Sequence, residues 1–287
     1  MQQLFNLAFA RLDRARERRQ EFGREWGSYI AEHPWDIDLA VLSDTQFEFF
    51  AVQREPAPAV LSLVFSEWLA SIRAALDNGF YAWVASSTGQ NPPPQAERLQ
   101  YPICTTPADF KRQRSRLASV PQEIVDLVEK AQPYQAPLGP ESNLFYWIHE
   151  LARTDRHRTP HIGIGRIATH KVRIKVPAGV TAKFDTSIHP FQAIDDRIVL
   201  CRFTTSVPLG RSDLVGSDFR GVGIAPEIRA WASFNMGGKR QSLSDRMVYT
   251  EIFTRRDLEN MAAHSGCVPP EGFKLIDPVA SGDGDGS

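Results

Sequence analysis

The chain has 287 residues, 42% of them hydrophobic, enough for one large or two small domains whose cores need no disulfide staples. A formal net charge of −1 excludes a whole-chain field that would select a polyanion or a membrane surface. Cys104, Cys201 and Cys267 lie far apart with no CxxC pair, which argues against a disulfide framework or zinc site and for reduced thiols in a cytoplasmic protein.

The opening MQQLFNLAFARLDRARERRQ interleaves charge with apolar residues, so no signal peptide is expected. No window approaches about 18 uncharged apolar residues, so no spanning helix and no membrane partner are expected either. Residues 2–31 read as a long helix, with Leu4, Leu7, Phe9, Leu12, Ala15, Phe22, Trp26, Tyr29 and Ile30 at helical spacing. WDIDLAVL and QFEFFAVQ flank the turn SDT and predict a β-hairpin over about 36–53. A second long helix over about 57–86 is apolar around much of its girth, which predicts the most buried helix of the fold.

The Pro-rich loop TGQNPPPQAERLQYPICTTP follows, then shorter helices over about 107–118 and 121–131. SNLFYWIHELARTDRHR predicts one more helix, with Ser142 as its N-cap and Pro160 as its stop. Beyond it the hydrophobic period changes from helical to alternating. KVRIKV is expected to pair with VTAKFDTSI across the turn PAG, and RIVLCRFTTSV to form a buried strand. The Gly-rich LGRSDLVGSDFRGVG reads as a loop, EIRAWASFNM and RMVYTEIF as strands, and about 255–264 as a short final helix. The fold class is therefore α+β, with a helical half carrying a hairpin (1–160), an antiparallel β-rich half (161–265) and a polar tail (266–287) expected to be disordered at its end.

Residues 143–175 hold seven cations against Glu150 and Asp155, and four of the chain's seven histidines. His149-Glu150 opens like a zincin helix, but Arg153 occupies the second histidine position and Arg156 and Arg158 would repel a cation, so no metal is expected. GGKRQS is not a phosphate loop, no GxSxG elbow is present, and no cofactor motif stands out. Arg73 and Asp77, four apart on the buried second helix, share a face and need partners there. The expected partners are Asp155, His157 and Arg158 at the TDRHR helix end, forming a polar clamp between the two helices. Lys171, Arg173 and Lys175 fall on one face of a strand, where they could follow a phosphate backbone.

The motifs AALDN, YPI, QPY and ELARTDRHR, in that order over about residues 57–160, resemble a family of uncharacterised bacterial proteins, many actinobacterial, whose pattern runs ALDH, FPI, QPY and DKHR. The helical half of that family resembles HEPN-like domains, some of which are metal-independent ribonucleases using an RxxxxH motif. The resemblance implies that Arg73 is the motif arginine, while Asn78 stands where the motif histidine would be. Arg156 to His161 has the same spacing, but so short a pattern arises by chance in an arginine-rich chain. The expectation is a binding or interaction module with a degenerate HEPN-like domain, its partner RNA or a protein, and the resemblance implies a homodimer. The alternative is a metal-independent endoribonuclease in which His157 moves the proton and Arg73, Arg156 and Arg158 hold the phosphate.

Overall fold

The computed structural model of the protein describes residues 1–32, 34–155, 162–185, 193–194, 197–214, 218–228, 235–236 and 239–271. Two 30-residue helices form its centre. α1 (Gln2–Ala31) buries Phe5, Phe9, Leu12, Phe22, Trp26 and Tyr29 along one stripe. α2 (Ala59–Thr88) packs along α1 and buries fifteen residues between Leu61 and Ala85, leaving Leu63, Glu67 and Ala70 exposed. It ends at Gly89, whose left-handed φ of 64° suits a residue without Cβ.

Contrary to the sequence expectation, α2 is long and apolar enough to cross a membrane by length and composition, with a mean hydropathy of 1.5 over its best window. A few charges spread along an apolar helix lower its mean hydropathy only slightly, which a search for uncharged runs overlooks. In this structure half of that window is buried, and α2 packs against α1, α5 and α6.

α3 (Pro107–Gln113) starts on Thr106, whose hydroxyl accepts the Asp109 N–H at 3.1 Å, and tightens into a 3₁₀ turn over Arg114–Leu117. α4 (Gln122–Lys130) follows. α5 (Leu144–Asp155) begins on Asn143 and not on Ser142: Asn143 Oδ1 accepts the Phe145 N–H at 2.8 Å, while the Ser142 hydroxyl donates to Gly139 O. Trp147 seats α5 on α2, its ring 5.8 Å from Trp68 and 6.4 Å from Phe65.

The largest departure from expectation is α6 (Leu243–His264), a single 22-residue helix where a strand and a short helix were predicted. Its start is fixed by a capping box. Ser242 Oγ accepts the Asp245 N–H at 3.1 Å, and Asp245 Oδ2 accepts the Ser242 N–H at 3.2 Å. Met247, Leu258, Met261 and Ala262 then enter the same core as α1 and α2.

The hairpin forms as predicted from β1 (Trp35–Val41) and β2 (Gln46–Gln53), with Leu39 opposite Phe49. The remaining strands are β3 (Ile162–Arg173), β4 (Ala182–Phe184), β5 (Ala193–Ile194), β6 (Arg197–Thr205), β7 (Asp218–Ile228), β8 (Asn235–Met236) and β9 (Lys239–Arg240). One antiparallel sheet has the order β1-β2-β6-β4 and another β5-β3-β7, with β8 and β9 a short pair. The predicted pairing of KVRIKV with VTAKFDTSI is therefore not made, because β3 pairs with β7 and β4 with β6. The second half of the Gly-rich stretch, read as loop, is β7. The class is α+β with helix dominant. Its two sequence halves are interleaved, since β2 pairs with β6 and α6 packs on α1 and α2.

Two buried polar ties hold α6 in place. Arg246 and Glu227 pair at zero exposure, joining α6 to β7, and the guanidinium lies 5.2 Å from the Trp147 ring. One turn further, Glu251 Oε1 accepts from Arg19 Nε at 2.8 Å and from Trp68 Nε1 at 3.0 Å. Burial pushes the Glu251 carboxyl up, against the pull of Arg19 and Trp68.

Candidate functional site: a cleft around Tyr101 and Asp257

The Arg73–Asp77 pair forms, with Nη2 3.3 Å from Oδ1, and it also engages the YPI segment. Asp77 Oδ1 accepts the Tyr101 N–H at 2.9 Å, and Arg73 Nη2 donates to Tyr101 O at 3.3 Å. From the other side Gln132 of QPY donates to Pro102 O at 3.0 Å and accepts the Cys104 N–H at 2.8 Å. Residues 101–104 belong to no helix or strand, so their buried backbone groups need side-chain partners. AALDN and QPY supply them, and three of the sequence motifs thereby converge on one short segment.

That segment sets the position of one hydroxyl. The buried Tyr101 ring meets Phe80 and Phe145 edge-on, at 6.0 and 5.9 Å, and its hydroxyl donates to Asp257 Oδ2 at 3.1 Å. Burial first, and then the charge of Asp257, hold the phenol well above its ordinary value, so it stays a protonated donor. Asp257 is a half-buried side chain of α6. Burial pushes its carboxyl up to about 6, outweighing the Tyr101 hydrogen bond and the charge of Arg256, which pull it down. Gly79 lets α6 come this close, because a Cβ there would overlap Leu258 Cδ2.

Asp257 and Tyr101 open onto a cleft of about 290 Å³, at the small end of the range for ligand pockets. Leu127 and Val128 of α4, with Ala131 just past its end, form an apolar wall, Trp83 of α2 an aromatic one, and Asn260, Met261 and His264 extend the α6 side. The His264 ring lies 5.7 Å from that of Trp83, and its Nδ1 sits 2.7 Å from Asn260 O, which orients the ring. Among the described residues no lysine or arginine lines the cleft. The arrangement can accept hydrogen bonds and meet an aromatic ring, with no guanidinium or ammonium among those residues to hold a phosphate. A second hollow of about 470 Å³, between residues 136–145 and Phe253, has no titratable group in its lining.

The other predicted residues fall as follows. Arg156, His157 and Arg158, with the Arg156–His161 spacing, lie outside the described residues, as do residues 229–234 and 272–287. Asp155 is the last residue of α5, and its side chain too is outside the description. Among the described residues only the α2 side of the expected clamp is seen, and there Arg73 and Asp77 hold the Tyr101 backbone. Lys171 lies within β3, exposed Arg173 ends it two positions on, and exposed Lys175 falls two positions beyond the strand. Arg153 is paired along its own helix with Glu150, at 2.7 Å. Cys104, Cys201 and Cys267 are free thiols, and burial pushes Cys104 and Cys201 up to about 11. Among the described residues no three His, Cys, Asp or Glu side chains are grouped to hold a metal.

Asp257, Trp83, His264 and the Tyr101 hydroxyl were not singled out from the sequence. One signal was present: Ser242 and Asp245 in QSLSD have capping-box spacing, which would have begun the final helix there and not near 255. No protein-family model, curated protein or solved structure matches this chain.

Proposed function

We propose that the chain is a binding module whose ligand site is the cleft between α2, the Tyr101 segment, α4 and α6. One observation carries this reading: a desolvated carboxylate, Asp257, is held at the mouth of an open cleft by a hydroxyl that three separate side chains keep in place. Clefts that combine apolar walls, few polar groups and a perturbed carboxyl are where ligands bind. Ligand-observed NMR with a fragment set tests it, comparing the natural chain with Leu127→Trp, which fills the cleft from an exposed position. Binding lost in the variant supports the reading; equal binding in both contradicts it.

RNA is the second reading, and it has an observation of its own. Lys111, Arg112, Arg114 and Arg116 are all exposed on α3 and the turn after it, with Asp109 the nearby acid. Four phosphate contacts to single-stranded RNA would give a log–log salt slope of about −3 in filter binding, and a flat response would turn attention to a protein partner. The ribonuclease alternative rests on His157 with Arg156 and Arg158. The engagement of Arg73 with Asp77 and Tyr101 weighs against a phosphate-holding role for it. RNA cleaved in EDTA by the natural chain and spared by His157→Ala would support that alternative.

A further inference from the structure

We infer that the cleft takes a planar nitrogen cation of the amidinium or guanidinium class, paired with the Asp257 carboxylate beside the Trp83 ring. The inference rests on the binding-module reading and names the chemistry of its ligand. Asp257 makes one hydrogen bond, to Tyr101, and no ion pair among the described residues. A desolvated carboxylate with one hydrogen bond is incompletely satisfied, and the group that suits it best is a cation with several N–H donors. Among the described residues the cleft lining has no lysine or arginine to receive an anion.

The aromatic wall points the same way. Trp83 lines the cleft, and an indole face attracts cations more strongly than other aromatic rings. With Leu127 and Val128 also in the lining, a weakly hydrated planar cation suits these apolar walls better than a strongly hydrated ammonium. The groups that bear on Asp257 from the elements around it are the Tyr101 hydroxyl, Arg256 on its own helix and His264 along the cleft wall; α4 presents only apolar side chains. Arg256 is exposed and adjoins Asp257 in sequence, so it lowers the carboxyl without bridging it. Such a cation reaches the cleft either as a free small molecule or as an arginine side chain of a peptide.

The test titrates the full chain with benzamidine, its neutral analogue benzamide and the anion benzoate, following tryptophan fluorescence and heat. A short arginine-containing peptide is the second source of the same cation. Benzamidine or the peptide should bind at least about tenfold tighter than benzamide, with benzoate weakest. Whichever of the two binds tighter identifies the source. The advantage should vanish in Asp257→Asn, which still accepts from Tyr101, and shrink between about pH 7.5 and about pH 5 as the carboxyl takes up its proton. Equal binding of benzamide, tighter binding of benzoate, or an unchanged advantage in Asp257→Asn overturns the inference. If the cations fail while neutral fragments bind and are lost in Leu127→Trp, the ligand class is wrong and the site survives. If nothing binds in the cleft, the binding-module reading falls with it.

Discussion

The Tyr101 hydroxyl sits 3.1 Å from the carboxylate of Asp257, a contact made across 156 positions of chain. It joins the motif-bearing segment of the first half of the sequence to the final helix. Asp257 is then both desolvated and open to the cleft, a combination that works against stability and suits a ligand site.

That combination has a sign that can be measured. An ordinary aspartate ionises near 3.9, whereas Asp257 is pushed up to about 6 in the fold. Between those values the folded chain holds a proton that the unfolded chain has lost. This group's contribution therefore favours folding most below about pH 4 and declines as pH rises to about 6. Asp257→Asn removes the cost, so urea unfolding near pH 7.5 should show a gain of about 1–2 kcal/mol, after discounting for the group's partial exposure. A loss of that size would make Asp257 a structural clamp.

Tyr101→Phe keeps the ring and removes the donor. The carboxyl of Asp257 should then titrate higher still, because a hydrogen bond that favours its charged form is gone. Global stability should fall by about 1 kcal/mol, seen as a lower urea midpoint with an unchanged slope.

Asp77 and Gly79 test how the site is positioned. Asp77→Ala leaves the Tyr101 N–H and Arg73 without an acceptor that both now share, which should cost about 2 kcal/mol and abolish fragment binding in the cleft. Gly79→Val drives a branched side chain into Leu258 and should cost about 1–3 kcal/mol while moving α6 away from Tyr101. Fragment affinity that survives Gly79→Val would show that the α2–α6 approach does not set the cleft.

Glu48 gives the opposite pH dependence in the sheet. Its burial works against ionisation, but Arg202 and Arg197, bonded to its two oxygens, outweigh that and hold the carboxyl below the usual range. The stability it supplies is complete above about pH 4.3 and is lost as pH falls through its lowered folded value. Glu48→Gln should therefore be less stable at neutral pH and flatten the acid limb of the stability profile, as followed by circular dichroism.

The α1 stripe, the apolar girth of α2 and the hairpin at 36–53 were legible because each rests on a periodicity within one segment. The pairings of β3 with β7 and β4 with β6 were not, since alternation marks a strand without naming its neighbour. Arg73 and Asp77 were legible as a pair in need of a partner. One partner is the backbone N–H and C=O of Tyr101, and backbone groups leave no signature in sequence. Asp257 fell within the short helix expected over about 255–264, but the reading of RMVYTEIF as a strand hid the length of that helix and its packing beside Tyr101. Met247, Val248 and Tyr249 have strand-like character, and tertiary packing of Met247 and Leu258 against the bundle decides for helix.

The most direct test follows the side-chain carboxyl carbon of Asp257 by NMR across pH, with and without benzamidine. The predicted result is a midpoint near 6 in the free chain that drops when the cation is present. A midpoint near the ordinary value of about 4, unmoved by benzamidine, would contradict both the desolvated carboxylate and the site built around it.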